Sequence, residues 1–447
     1  MKNVFVIESQ GRTALFAPIK GLILEIKDAE KERIVQLINQ PQFSLDDIIS
    51  FFPEIDCSRL FQKEPEKQNI EKKDEFYPTS VVLFPTLDCN LRCIYCYSDA
   101  GEQKANMTWQ IAEAAIDFVI DNAKLKGHKE PCLEFHGGGE PTWNWSIFQM
   151  ALDYFQQKAL QNDLTPKVNL ATNGMLSTKQ IEWIVSHIDS VQISLDGMEE
   201  IQNFQRPTAK GGKSFAIVYN TVRSLLAKKI QVIIHCVITD KGIGVIPEII
   251  QFLMGNFPGV TVHLEPVCES GRGLRMGQKF PSPELFVRGF IKAEKIADSF
   301  GGEISYSGAG PKLAEFHQGF CGVSSPNFVI TPTALVSACH EVAVKTHPLA
   351  KYFIYGHLDQ QNRKFVFDYE KIRNLRGYNT ETNSICEGCF AKYYCAGDCL
   401  VKRLSSDGER KMPFLNPRCK INQELTKHHV FKKLFTRKED GYENSGT

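Results

Sequence analysis

The sequence predicts an α/β fold: a partial (β/α)6 TIM barrel between a small winged-helix-like N-terminal unit and a cysteine-rich C-terminal domain. Between residues 79 and 300, six strand-like apolar runs each precede a helical pattern, which favours a parallel sheet covered by helices. Six units instead of eight predict an open barrel. The 14 cysteines are clustered, with three at 89–96 and five at 386–419.

The N-terminal unit is expected over residues 1–62. Three short strand patterns, VFVIE, TALFAPI and GLILEI, are separated by Gln10-Gly11 and Lys20-Gly21. Helical patterns follow in KERIVQLINQ and LDDIISFF. Residues 63–78 are rich in charge and poor in apolar side chains, which predicts a linker.

The barrel strands are predicted from apolar runs that precede helical patterns. They are SVVLFPT (80–86), CLEFH (132–136), VNLAT (168–172), VQISL (191–195), VIIHCVIT (232–239) and VTVHLEP (261–267). In parallel α/β sheets, ligands bind at the carboxyl ends of the strands. Residues 301–430, where regular patterns weaken, are assigned to the C-terminal domain, and residues 431–447 to a polar tail.

Composition excludes some function classes. Lys+Arg and Asp+Glu are both 52, so a nucleic-acid surface or a polybasic membrane patch is not expected. Neither an export signal nor an apolar run of about 18 residues is evident. We therefore expect a cytoplasmic protein, in which clustered cysteines bind metal instead of forming disulfides.

The first cysteine cluster follows the first predicted barrel strand. Cys89, Cys93 and Cys96 have the spacing C-x₃-C-x₂-C in CNLRCIYCY. Three thiolates can hold three irons of a [4Fe–4S] cluster and leave the fourth iron open, whereas electron-transfer clusters have four cysteine ligands. The spacing therefore indicates an iron that binds a cofactor or substrate.

Further polar groups follow the other predicted strands. After the second strand comes HGGGEPT, where Gly138 and Gly139 allow close approach of a ligand and Glu140 offers acceptors for an ammonium group. The glycine-rich segment and the segments after the later strands could equally be simple turns. The later strand ends carry polar candidates, which are Asn173, Ser194 and Arg206; Arg206 could pair with a carboxylate or be a solvated loop residue.

CNLRCIYCY, GGGEPT, TNG and ISLDG, in this order, resemble the radical S-adenosylmethionine (radical SAM) superfamily over residues 79–300. The resemblance implies that the three cysteines hold a [4Fe–4S] cluster whose open iron chelates SAM. Reduction would then yield a 5′-deoxyadenosyl radical. It also implies that Tyr95 lies near adenine, that the glycine motif binds the methionine amine, and that Ser194 and Arg206 contact the carboxylate and ribose.

The C-terminal cysteines exceed the four ligands that one structural zinc takes, although a zinc ribbon with spare thiols is an alternative. Their order resembles the SPASM domain of peptide-modifying radical SAM enzymes. The resemblance implies two auxiliary [4Fe–4S] clusters with interleaved ligands. One set is Cys321, Cys339 and Cys399; the other is Cys386, Cys389, Cys395 and Cys419.

Three departures from the resembling families stand out. A glycine often found five residues before the second cysteine is Ala334 here, and KLAEFHQGF before Cys321 contains no fourth ligand cysteine. Cys268, another residue or an open iron could complete that cluster. The acidic base of sulfatase-maturing enzymes is replaced by His340 and then Glu341, which are candidate bases or ordinary loop residues.

These features predict a maturase that forms a thioether or another side-chain crosslink in a ribosomally made precursor peptide, with a flavodoxin- or ferredoxin-type electron donor. The N-terminal unit resembles peptide-recognition domains that bind a leader peptide by strand addition, although it could be a structural cap. The alternatives are a formylglycine-forming sulfatase maturase and a non-catalytic zinc-binding scaffold.

Overall fold

A computed structural model describes residues 3–40, 47, 75–310, 312–313, 315–380, 383–404 and 416–442. Two predictions fall largely outside these residues. They are the second N-terminal helical pattern, over 45–52, and the linker over 63–78, of which 75–78 are described.

The N-terminal unit contains the three predicted strands. β1 (Phe5–Ser9), β2 (Arg12–Ala17) and β3 (Leu22–Ile26) form an antiparallel sheet in that order. α1 (Asp28–Ile38) follows and packs Ile34 against one face of this sheet. Gly21 lies in the left-handed region, with φ of 61°, and joins the second and third strands without strain.

The barrel is built from parallel strands in sequential order, which confirms the predicted α/β fold. These strands are β4 (Ser80–Leu83), β5 (Cys132–Phe135), β6 (Lys167–Thr172), β7 (Ser190–Ser194), β8 (Gln231–Ile238), β9 (Thr261–Pro266) and β10 (Glu303–Ser305). β10 extends the six predicted strands by one, since it pairs in parallel with β9.

Helices cover the outer face of this sheet and bury its alternate apolar side chains. They are α2 (Trp109–Lys126), α3 (Trp145–Leu160), α4 (Thr178–His187), α5 (Glu199–Gln205), α6 (Phe215–Ala227), α7 (Ile246–Asn256), α8 (Gly271–Arg275) and α9 (Pro283–Ser299). The inner face carries more polar side chains, so the barrel interior offers groups that can bind a ligand.

Four short strands from the C-terminal region continue the same sheet, which the sequence did not predict. β11 (Val329–Ile330) pairs in parallel with β4, and an antiparallel run follows with β12 (Leu335–Ser337), β13 (Ile354–Asp359) and β14 (Lys364–Phe367). The C-terminal region is therefore joined to the barrel through the strand that precedes the first cysteine cluster.

The remaining helices of the described C-terminal residues are mostly short. They are α10 (Ala350–Phe353), α11 (Tyr369–Arg376), α12 (Lys392–Cys395), α13 (Leu400–Arg403) and α14 (Pro417–Tyr442). None of the helices described is long and apolar enough to cross a membrane.

Helix α14 changes the predicted boundary of the C-terminal tail. Residues from 431 onward were expected to be a polar tail, but the helix continues to Tyr442. Phe431 and Leu434 are buried against Ile7 and Phe16 of the N-terminal sheet, and this burial explains the longer helix. The N-terminal sheet thus has α1 on one face and α14 on the other.

Candidate functional site

The loop that carries Cys89, Cys93 and Cys96 begins where β4 ends. Backbone hydrogen bonds fix it to the segment after α5: the Arg92 N–H donates to the Pro207 carbonyl at 2.8 Å, and the Ile94 N–H donates to the Gln205 carbonyl at 2.9 Å. None of the three thiols is in a disulfide. The structure therefore brings the three predicted ligands onto one loop at the carboxyl edge of the sheet.

Two of these sulfurs accept hydrogen bonds. Cys89 Sγ accepts from the Leu91 N–H at 3.4 Å and from Asn173 Nδ2 at 3.6 Å, and Cys93 Sγ accepts from Arg206 Nη1 at 3.8 Å. Donors directed at sulfur stabilise metal-bound thiolates. The donor set, three free thiols with such donors around them, fits an iron–sulfur cluster with one iron lacking a protein ligand.

Burial keeps the thiols of Cys89 and Cys93 protonated in the absence of metal. It raises the pKa of Cys89 to about 12, with a further contribution from Cys93, and raises the pKa of Cys93 to about 11 although Arg206 opposes the shift. Because a metal binds the thiolate form, loading of this site releases protons.

Arg272, on α8, holds the cysteine loop from the opposite side. Its backbone N–H donates to the Cys96 carbonyl at 2.8 Å, and its guanidinium donates to the carbonyls of Cys93 at 3.2 Å and Ala100 at 2.8 Å. The same side chain pairs with Glu102 at 3.1 Å and is 6% exposed. This role of Arg272 is not predictable from the sequence, because the only local signal is an arginine shortly after the last predicted barrel strand.

The glycine loop after β5 needs glycine for close packing against the cysteine loop. A Cβ on Gly139 would lie 2.1 Å from the Asp88 carbonyl oxygen, and one on Gly138 would lie 2.5 Å from Leu87 Cδ2. The Glu140 N–H donates to the same Asp88 carbonyl at 2.9 Å. The two loops that the sequence singled out are therefore in direct contact.

The Glu140 carboxylate is occupied by the protein. Oε1 accepts from the Thr142 N–H, the Thr142 hydroxyl and the Thr172 hydroxyl, and Oε2 accepts from the Asn173 N–H at 2.7 Å. Glu140 is 2% exposed. Its carboxylate thus ties the glycine loop to the end of β6, which also places Asn173 beside Cys89.

Asp196 connects Tyr95 and Arg206, the two predicted cofactor contacts nearest to Cys93. Oδ2 accepts from the Tyr95 hydroxyl at 2.5 Å, from Gln205 Nε2 at 2.8 Å and from Arg206 Nε at 3.0 Å. Asp196 is completely buried. The sequence placed it in the ISLDG motif without assigning it to the site, because its connecting role depends on contacts across the fold. Ser194 lies two residues earlier, at the end of β7.

The C-terminal cysteines form two groups in space. In the first group, burial raises the pKa of Cys339 to about 12, and the nearby Cys321 contributes to this shift. Burial also raises the pKa of Cys399, and Cys339 contributes to that shift. In the second group, burial raises the pKa values of Cys395 and Cys419. Cys386 and Cys389 lie near both thiols and raise these pKa values further. Members of each set that the resemblance implied thus lie near one another in the described residues.

Glu341, one of the two candidate bases, is held by a half-buried lysine. Lys402 Nζ lies 2.6 Å from Glu341 Oε2 and 3.1 Å from Ser270 Oγ. Cys268 and Cys399 also lie near Lys402. Lys402 therefore links the loop after β9 to the C-terminal region beside the first group of cysteines, and the ion pair disfavours Glu341 as a free base.

His340, the other candidate base, faces the barrel. Its ring lies 4.3 Å from that of His136 and 6.1 Å from that of Phe84, measured between centroids. Glu134 is also near, since one ligand atom from each of Glu134, His136 and His340 lies within 4.8 Å of the others. Burial lowers the pKa of His136 to about 4 and raises that of Glu134. The sequence did not predict this grouping.

A cavity of about 940 Å³ lies between the barrel mouth and the C-terminal region. Its wall includes Gly138 of the glycine loop, Tyr97 of the cysteine loop, Cys268, and the Glu341–Lys402 pair. The cavity is therefore bordered by both cysteine-bearing regions and is large enough for part of a peptide.

The sequence profile of the radical SAM superfamily matches residues 83–253, which span the cysteine loop, the glycine loop and Asp196. Residues 83–253 form a radical SAM domain. The fold and the positions of these motifs agree with that assignment, and the domain implies a [4Fe–4S] cluster that binds SAM.

Proteins similar to this chain include sulfatase and peptide maturases. A cysteine-type anaerobic sulfatase-maturating enzyme of Clostridium perfringens is 28% identical over 171 residues, which cover 36% of the chain and 45% of that protein. The sporulation killing factor maturation protein SkfB of Bacillus subtilis is 25% identical over 184 residues, 40% of each protein. These matches span less than two thirds of either relative.

Solved structures share the fold over more of the chain. The enzyme anSMEcpe, with bound AdoMet and a Kp18Cys peptide, superposes with a TM-score of 0.63 at 19% identity, covering 81% of the chain and 99% of that structure. Streptococcus suis SuiB bound to S-adenosylmethionine gives a TM-score of 0.51 at 16% identity, with coverage of 92% and 98%. At these identities the likeness concerns the fold alone.

Proposed function

We propose that the chain is a radical SAM peptide maturase with a SPASM domain, and that it forms a thioether or another side-chain crosslink in a ribosomally made precursor peptide. The observation that carries the proposal is the shared cavity. Gly138, in the loop that would hold SAM, and Glu341, beside the first C-terminal cysteine group, line the same space. A peptide in this cavity would lie between the two.

If SAM is bound to a reduced cluster at this site, it would supply a 5′-deoxyadenosyl radical for hydrogen abstraction from the substrate. Cys89, Cys93 and Cys96 would hold that cluster, and backbone carbonyls of the glycine loop would accept from the methionine ammonium. Because the Glu140 carboxylate is occupied, its proposed role is to fix this loop. The domain boundaries that accompany this proposal are 1–62, 79–300 and 301–430.

Three further residues would complete the SAM site. Arg206 Nη2 bonds to no group in the described residues, so it is free to pair with the methionine carboxylate. Ser194, at the end of β7, would share with Arg206 the contacts to the methionine carboxylate and the ribose. Tyr95 would provide the adenine contact, with its ring held in place by the bond from its hydroxyl to Asp196.

Two auxiliary [4Fe–4S] clusters are proposed for the C-terminal region. Cys321, Cys339 and Cys399 would hold the first, and the second group of four cysteines would hold the other. The first set lacks a fourth cysteine, so its remaining iron is proposed to bind a substrate thiolate or Cys268. A flavodoxin- or ferredoxin-type protein would supply electrons.

The N-terminal unit is proposed to bind the leader segment of the precursor. Both faces of its sheet are covered, by α1 and by α14, whereas among the described residues no further strand pairs with the outer edges of β1 and β3. An extended peptide could add to either edge through main-chain hydrogen bonds.

The test is anaerobic reconstitution of the clusters, followed by addition of SAM, a reductant and a candidate precursor encoded beside the gene. A peptide that loses two hydrogens, about 2 mass units per crosslink, supports the proposal. Cys93→Ala is the control and should leave the peptide unchanged. Cleavage of SAM by the wild-type enzyme without any change in several candidate precursors would contradict crosslink formation.

Sulfatase maturation is the second candidate, favoured by the match to the Clostridium perfringens enzyme. His340 follows Cys339 where that class carries an acid, and Glu341 is paired with Lys402, so this function ranks lower. Conversion of a sulfatase-derived peptide to formylglycine would reverse the ranking.

A further inference from the structure

Three potential ligand residues meet inside the barrel although they come from different parts of the sequence. Glu134 lies on β5, His136 follows that strand directly, and His340 follows Cys339 in the C-terminal region. One ligand atom from each side chain lies within 4.8 Å of the others.

The alternation of β5 shows that Glu134 points into the barrel. Leu133 and Phe135 are fully buried in the apolar layer under the helices, whereas Cys132 and Glu134 are half-buried on the opposite face. Glu134 therefore faces the same interior as His340.

Glu134 differs from two other acidic residues of the barrel because it has no cationic side chain paired with it in the described residues. Asp196 pairs with Arg206, and Glu265 pairs with Arg418. Across the described residues, no group forms a hydrogen bond or ion pair with the Glu134 carboxylate or the His340 ring. A partly buried carboxylate without a nearby cation is unfavourable, and a bound cation would stabilise it.

We propose that Glu134, His136 and His340 bind a divalent transition-metal ion, of which zinc and iron(II) are the expected occupants. Two imidazoles and one carboxylate are a common ligand set for these ions. Three protein ligands also leave at least one coordination position for water or a substrate atom. The cation would supply the charge that Glu134 lacks.

His136 has one local bond that metal binding would replace. Its Nδ1 accepts from the Gly137 N–H at 2.8 Å. If Nδ1 binds the ion, this hydrogen bond is exchanged for the metal. If Nε2 binds, the ring proton moves to Nδ1 and the same bond is lost. Glu134 and His340 have no comparable bond to give up.

The position of the site indicates its use. His136 directly precedes the glycine loop and His340 directly follows Cys339, so the ion would lie between the proposed SAM site and the first proposed auxiliary cluster. At this position the ion could coordinate a donor atom of the substrate peptide. That role rests on the proposed function, whereas metal binding itself does not.

Zinc is the probe, because iron is also present in the clusters. The reconstituted holoenzyme is treated anaerobically with zinc and desalted, and zinc and iron are counted by mass spectrometry. We expect about one zinc per chain, with nitrogen and oxygen neighbours at about 2.0–2.1 Å in the zinc X-ray absorption spectrum. Glu134→Gln and His340→Asn should bind zinc at least tenfold more weakly, with iron content unchanged.

His235→Asn is the matched control, since His235 is another barrel histidine, on β8, outside the group of three. It should retain zinc. The proposal is overturned if the wild-type enzyme holds no zinc, if the zinc has sulfur neighbours, or if either ligand variant and the control bind zinc equally. A variant that has lost iron is replaced by Glu134→Asp, which should keep the fold and weaken zinc binding. None of these outcomes depends on SAM cleavage or on a peptide substrate.

Discussion

Arg272 stabilises the cysteine loop although it lies about 180 residues away in the sequence. Its buried guanidinium donates hydrogen bonds to the carbonyls of Cys93 and Ala100. Hydrogen bonds from a charged donor contribute about 1.5–3 kcal/mol each, so loss of this side chain affects the geometry of the cluster loop more than a surface change would.

We therefore predict that Arg272→Gln lowers the rate of SAM cleavage by about tenfold or more, corresponding to about 1.4 kcal/mol or more. It should also broaden the electron paramagnetic resonance signal of the reduced SAM-bound cluster. Arg275→Gln is the control, because Arg275 is half-exposed and bonds only to the acidic side chains of Asp99 and Glu102 among the described residues. Equal behaviour of the two variants would show that Arg272 does not position the loop.

Ala334 occupies a left-handed backbone conformation, with φ of 62°, in the turn between β11 and β12. This geometry explains why a glycine is common at that position in the resembling family. A non-glycine residue in this conformation destabilises the folded state by about 1–2 kcal/mol. The departure noted in the sequence is therefore a local strain that the surrounding sheet tolerates.

Ala334→Gly is predicted to stabilise the holoenzyme by about 1 kcal/mol, because glycine adopts a positive φ without a Cβ clash. Thermal unfolding would show a higher midpoint. Ala338→Gly, at a buried position outside the positive-φ residues, should lower the midpoint instead. A lower midpoint for Ala334→Gly would contradict the strain.

The sequence alone predicted the first cysteine cluster and the glycine loop as parts of the site, because each is a motif of closely spaced residues. It did not predict that Arg206 faces Cys93 or that Glu134 meets His340, since those contacts depend on strand register and on the path of the C-terminal region. Residues whose roles come from long-range packing leave only a weak signal in one sequence.

At the scale of elements, the six barrel strands were predicted to within a few residues. Their apolar runs are long, as in β8 (Gln231–Ile238), and each is followed by a helical period. The strands β11 and β12 were missed because they contain two and three residues and show no period. Their pairing depends on β4, which lies far away in the sequence.

The packing of α14 on the N-terminal sheet yields another prediction. Phe431 is 5% exposed and contacts the cluster that contains Phe16. Phe431→Ala should remove about 3 kcal/mol of packing free energy. Limited proteolysis should then release the N-terminal unit faster than in the wild-type protein. Leu160→Ala, at a position 65% exposed on α3, is the control, and equal cleavage of the two variants would contradict the packing role.

For the whole molecule, one sheet runs from the barrel into the C-terminal region, and β4 joins the two. Damage to the second cysteine group should therefore affect folding more than SAM binding. Cys389→Ala is predicted to lower soluble yield and late electron transfer while SAM cleavage persists, as measured by 5′-deoxyadenosine formed per cluster. Loss of SAM cleavage in proportion to that of Cys93→Ala would contradict this separation.

We propose that the chain holds one SAM-binding cluster in the barrel and two auxiliary clusters beyond it. Iron counting on the anaerobically reconstituted protein, before any zinc is added, tests it most directly. We predict about twelve irons per chain for the wild type and about eight for Cys93→Ala, which should no longer cleave SAM. About four irons in the wild type, with zinc bound by the C-terminal cysteines, would contradict the account.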